Sequence, residues 1–195
     1  MGSGLMAEFK LTRAAPLGGY HEEIGTTSLR EIDAARAETL CIPLSEDVAT
    51  CAAARDLFGG PLPAVGTATL SAGTGAHILR LGADRLMILH LPDRSTRPDM
   101  AHALGAQEVT RVDQTDYWAL LDLAGPRAIM ALERSCRLDL HAEVFAPGHL
   151  ARTPIDGVST LLVRLEIDRF LLMAPRSYVQ SLTHSLLTSL RYVSG

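Results

Sequence analysis

Near the end of the sequence, apolar residues recur every three or four positions. Val179, Leu182, Leu186, Leu190 and Val193 form one stripe, with Gln180, Thr183, Thr188 and Arg191 opposite. That spacing predicts an amphipathic helix capped by Ser177 and packed through its stripe on a sheet. Upstream the rhythm changes to short apolar runs bounded by Gly, Pro and Asp, which predict strands over 39–44, 66–71, 77–81, 85–90, 108–113, 117–123, 151–155, 160–165 and 169–174. Gly82-Ala83-Asp84 supplies a tight hairpin turn, and Gln114-Thr115 a second one. Between the strands, Ser45 with Glu46 and Asp47 predicts a helix start, and Gly59-Gly60-Pro61 stops that helix near Phe58. Gly125-Pro126 opens another helix, running to about Ser135, with proline at its first position. A further short helix is predicted over 93–104, closed by Gly105.

The first forty residues follow neither rhythm. Pro16-Leu17-Gly18-Gly19 and a mixed charged stretch through Arg36 predict an extended arm, 1–38, that needs a surface to lie on. The remainder, 39–195, is read as a compact domain of two halves, 39–106 and 107–195, because a segment repeats without gaps. In that repeat, 78–89 aligns on 162–173, and Arg80, Leu81, Asp84 and Arg85 recur as Arg164, Leu165, Asp168 and Arg169. A strand and a helix precede each copy. The expected class is α+β, with two related ferredoxin-like αβ halves, antiparallel sheets and a carboxy-terminal helix.

Composition narrows the function. Of 195 residues, 47% are hydrophobic and 21% charged, the balance of a folded domain. With 18 basic against 22 acidic side chains the net charge is −4, so a nucleic acid partner is not expected. No apolar run reaches membrane-spanning length, and the three cysteines, Cys41, Cys51 and Cys136, suit reduced thiols. A cytoplasmic protein without a membrane partner is the expectation.

Catalytic patterns are sparse. No G-x-S-x-G elbow exposes a serine, and Gly73-Thr74-Gly75 does not extend into a nucleotide fingerprint. Cys136 is flanked by Arg134 and Arg137 but reads as a half-buried thiol at a helix end. Asp139, His141 and Glu143 would share a strand face and offer hard ligands, yet polar surface alternation explains them more simply. Asp113 and Asp116 flank a hairpin turn, where Asp serves the backbone. His184 falls on the polar side of the last helix.

The second half carries more specific blocks: Val112-Asp113-Gln114-Thr115-Asp116, the run 118–123, Gly125-Pro126 and Leu132-Glu133-Arg134-Ser135-Cys136-Arg137-Leu138-Asp139-Leu140. Phe145-Ala146-Pro147-Gly148, Ala151-Arg152-Thr153, Asp168-Arg169-Phe170-Leu171-Leu172 and Arg176-Ser177 follow. Together with Pro16-Leu17-Gly18-Gly19, this pattern resembles the gamma subunit of heterotetrameric sarcosine oxidase. The resemblance implies a non-catalytic subunit, acting in assembly and stability, of a flavoenzyme complex that oxidatively demethylates sarcosine to glycine. It implies alpha, beta and delta partner subunits that hold the flavins, NAD, zinc and tetrahydrofolate, and no cofactor in this chain. The family is similar in fold to the folate-binding aminomethyltransferase of the glycine cleavage system, where an acidic residue acting on folate lies just ahead of the strand matching 161–165. Here that place falls on Val158 or Ser159, and only a small shift would let Asp156 serve. The alternative is therefore a stand-alone tetrahydrofolate-dependent enzyme, with Asp156 as its base and Arg176 as a second folate contact.

Overall fold

The computed structural model describes residues 12, 14–42, 48–92, 104 and 109–194. In chain order these form β1 (His21–Ile24), β2 (Thr27–Ile32), β3 (Arg36–Cys41), α1 (Val48–Phe58), β4 (Ala68–Leu70), β5 (His77–Gly82), β6 (Arg85–His90) and β7 (Thr110–Asp113). The order continues with β8 (Trp118–Ala124), α2 (Ala128–Glu133), β9 (Leu150–Ile155), β10 (Val158–Glu166), β11 (Arg169–Pro175), a 3₁₀ turn (Arg176–Tyr178) and α3 (Val179–Ser194). Two sheets result, ordered β1-β2-β8-β11-β10-β9 and β4-β5-β6-β3-β7. The pairings within them are antiparallel.

Strand alternation dictates how the sheets stack. Leu162, Phe170, Leu172 and Ala174 face α2 and α3, where Leu182, Leu186 and Leu190 are fully buried. Their neighbours Leu161, Val163, Leu171 and Met173 face the other sheet and meet Leu79, Met87 and Leu89. The far side of the five-stranded sheet, with Leu40, Ile78 and Ile88, receives Ala54 and Phe58 of α1. The layers therefore run helix, sheet, sheet, helix, and strands covered on both faces read as unbroken apolar runs. Helix α1 ends in a Schellman motif: Gly60 N–H donates to Arg55 O at 3.0 Å and Gly59 N–H to Asp56 O at 3.3 Å. Gly59 takes φ +71°, which glycine adopts without strain.

The internal repeat is exact in register. Leu79 pairs with Met87 as Val163 pairs with Leu171, and each hairpin carries a bulge at the corresponding place, Arg80/Gly82 and Arg164/Glu166. The two repeat arginines do the same work. Arg80 donates to the carbonyls of Gly82 and Ala83 in its own hairpin turn, and Arg164 to those of Glu166 and Ile167. Each sheet also borrows a strand: β2, leading into β3, pairs with β8, whereas β7, leading into β8, pairs with β3.

Several expectations change. From His21 onward the arm is a hairpin built into the six-stranded sheet, with Leu29 fully buried and Ser28↔Ala124 through Ile32↔Leu120 in register. Its charges hid an alternating pattern in which Thr27, Leu29 and Glu31 point inward. The turn after Asp113 is not a hairpin, since it carries the chain from one sheet to the other. Ser177 lies inside the 3₁₀ turn, which has no side-chain cap, and Thr183 is buried with its hydroxyl donating to Val179 O at 2.8 Å. Helix α2 begins after Pro126 and is short, entered through Arg127, whose N–H donates to Thr27 Oγ1 at 3.1 Å. Residues 139–143 are irregular chain running into a turn rather than a strand. The cap at Ser45, Glu46 and Asp47, most of the helix over 93–104 with its stop at Gly105, and the start of the strand at 108 lie outside the described residues.

Candidate functional site

Asp156 and Gly157 form the two-residue turn between β9 and β10, with φ of +46° and +80°. A type I′ hairpin turn demands such angles, and Asp-Gly is among its preferred pairs. The main-chain N–H of Asp156 donates to Ser135 O at 3.1 Å, and its carboxylate accepts a short hydrogen bond from Ser185 of α3. Asp156 thus ties the hairpin to the turn after α2 and to α3. It lines an open hollow of about 300 Å³ with Arg134, Ser135, His184, Ser185 and Thr188. Arg176 is engaged elsewhere: its Nη2 donates to Ala14 O at 2.6 Å and its main-chain N–H to Tyr117 O at 2.9 Å. It does not line the Asp156 hollow, so the two candidate folate contacts do not converge. Val158 is buried as the first residue of β10, and Ser159 is exposed beside it.

A larger cavity of about 610 Å³ opens between the sheets, walled by Arg30, His77, Val163, Leu165, Glu166 and Arg169 among others. Beneath it lies Asp122, 2% exposed, whose carboxylate accepts from Arg30 Nε and Nη2 at 3.0 and 2.7 Å and from Arg169 Nε and Nη2 at 3.0 Å each. The hydrogen bonds to Asp122 raise the pKa of Arg169 and hold it charged. This triad crosses β2, β8 and β11, and it was not anticipated. A signal for it exists: Asp122 interrupts the apolar run of β8, and a charge in a strand covered on both faces needs partners. Arg164, also fully buried, satisfies itself on the carbonyls of Leu140 and Phe145 at 2.9 and 2.7 Å.

Among the described residues no three His, Cys, Asp or Glu side chains could hold a metal ion. Asp139 accepts from the His141 N–H at 2.9 Å and Asp113 from the Thr115 N–H at 2.8 Å, so both serve turns. Cys136 is buried, its Sγ 3.8 Å from Thr153 Oγ1, and His184 is exposed. No described helix is long and apolar enough to cross a membrane.

No family model matches the chain. It is 25% identical over 197 residues to the sarcosine oxidase subunit gamma of Corynebacterium sp. (strain P-1), covering 97% of this chain and 96% of that one. In fold it is similar to a chain of the heterotetrameric sarcosine oxidase from Corynebacterium sp. U-96, at TM-score 0.77 and 23% identity over 94% of this chain and 97% of that one. It is also similar to the glycine cleavage system aminomethyltransferase T from Bartonella henselae, at TM-score 0.61 and 16% identity over 85% of this chain and 46% of that one. The resemblance carried by the sequence blocks is borne out, and so is the antiparallel α+β fold of two related halves.

Proposed function

We propose that this chain is a gamma-type subunit of a heterotetrameric sarcosine oxidase, joined to alpha, beta and delta subunits in the cytoplasm and acting in assembly and stability. The observation that carries the reading is a likeness to a gamma subunit from end to end, 97% of one chain on 96% of the other, with the same fold in a heterotetrameric sarcosine oxidase. In this reading the flavins, NAD, zinc and tetrahydrofolate belong to the partner subunits. The way Asp156 is used supports a structural role, since its conformation serves a hairpin turn and its carboxylate anchors α3.

Co-expression with the flavin-bearing subunits tests the proposal: the chain should co-elute with them in size-exclusion chromatography through successive steps. Elution of the chain alone would contradict it. Calorimetric titration with tetrahydrofolate addresses the enzymatic alternative, and no heat of binding is expected. Tight binding abolished by Asp156→Asn would instead establish a folate site in this chain.

A further inference from the structure

The internal repeat gives the two sheets one order. Starting from the exchanged strand, β2-β8-β11-β10-β9 in one sheet matches β7-β3-β6-β5-β4 in the other, position by position. The first sheet then has a sixth strand, because β1 pairs with the outer side of β2. Among the described residues no strand pairs with the outer side of β7. All four residues of β7 are exposed, Val112 at 44%. Gln114 N–H donates to Ala37 O at 2.8 Å and prolongs the β7–β3 ladder, so alternation turns the N–H and C=O of Arg111 outward. By the same alternation Val112 lies on the inter-sheet side with Ala37.

The chain carries a segment of matching pattern at 5–11, outside the described residues. Leu5, Ala7, Phe9 and Leu11 alternate with Met6, Glu8 and Lys10, the period of a strand with one face covered, hidden among charges as in β2. The position of Ala14 sets its reach. Arg176 Nη2 donates to Ala14 O at 2.6 Å, Arg176 N–H to Tyr117 O at 2.9 Å, and Tyr117 N–H to Gln114 O at 3.0 Å. Ala14 is thus held at the carboxy-terminal end of β7. Extended, 5–11 spans about 23 Å, against about 13 Å for β7, and is long enough to run its whole length.

We propose that residues 5–11 form a strand on the outer edge of β7, completing the five-stranded sheet as β1 completes the other. Leu5, Ala7, Phe9 and Leu11 then lie on the Val112 side and cover it, and the outward N–H and C=O of Arg111 gain strand partners. The pairing is parallel, because the chain runs back along β7 from Ala14. A short, charged strand is also how proteins blunt an edge that stays open, and amide exchange separates the two cases. The proposal does not depend on the subunit reading above.

The test is amide exchange of the isolated full chain, followed residue by residue by NMR. The Arg111 N–H should exchange slowly, and at least about tenfold faster after removal of residues 2–11 or in Phe9→Asp. Phe9→Asp keeps the chain at full length, so the result does not hinge on the truncated form folding. Lys10→Ser, on the opposite face of the added strand, should exchange like the wild type. Rapid Arg111 exchange in the intact chain would overturn the proposal and leave β7 an open edge. Slow exchange that survives removal of 2–11 would also overturn it. So would protection gained only when partner subunits bind, which would assign the edge to a partner's strand.

Discussion

Asp122 accepts four N–H donors from two arginines in the middle of β8. Asp122→Asn keeps the shape and removes the charge, leaving two guanidiniums facing each other under the inter-sheet cavity. Breaking a buried pair costs about 3–5 kcal/mol, and with Arg30 half exposed we expect about 2–3 kcal/mol, read as a lower urea midpoint at an unchanged slope. An unchanged midpoint would contradict the structural role of the triad. A second residue-scale effect follows pH. The Tyr20 hydroxyl bonds to Glu22, which also accepts from Arg191 Nη2 at 2.8 Å; burial first, then the bond to Glu22 and its charge, raise Tyr20 from 10.0 to about 12, against the opposing pull of Arg191. The unfolded chain releases its phenol proton first, so this contribution is intact below pH 10 and lost as pH rises through about 12. Glu22, lowered by the bonds from Tyr20 and Arg191, gives its contribution above the ordinary carboxylate range and loses it as pH falls through the lowered value. Tyr20→Phe should flatten the alkaline limb of a stability–pH curve, and an identical limb in both proteins would refute the assignment.

At the scale of elements, the last helix is where local pattern and tertiary demand agree. Leu182, Leu186 and Leu190 were legible as a stripe, and all are fully buried against α2 and the sheet. Leu186→Ala removes packed methyl groups and should cost about 2–5 kcal/mol, measured by denaturant unfolding. The helix entry was not legible, because Ser177 has the right chemistry for a cap but the backbone turns as a 3₁₀ segment ahead of it. Gly125 shows a constraint invisible in sequence. With φ +127° it lies against Thr26 and Thr27, and a Cβ there would collide with the Thr26 carbonyl oxygen. Gly125→Ala should destabilise by about 1–3 kcal/mol or more, since backbone must shift as well as strain.

Across the whole molecule, the repeat was legible from Arg80, Asp84 and Arg85 and their counterparts Arg164, Asp168 and Arg169, but the exchange of leading strands was not. Strand pairing at long range leaves no local trace, and β2 and β7 are short and rich in charged residues. The exchange binds the halves together: removing 14–32 strips β2 from β8 and leaves β8 as an open sheet edge. The intact chain should therefore unfold in one calorimetric transition, with calorimetric and van't Hoff enthalpies equal. Two separable transitions would contradict the interleaved architecture. The candidate site divides likewise: Asp156 could be picked out from its position ahead of β10, yet its role in a turn depends on positive φ and on Ser185, twenty-nine residues away.

On the function proposed above, this chain works as one subunit among partners. Native mass spectrometry of the complex purified from cells co-expressing it with the flavin-bearing subunits tests that claim most directly. One copy of this 20.9 kDa chain is expected in each heterotetramer. Detection of the chain only as a free species, beside an otherwise complete flavoprotein, would contradict it.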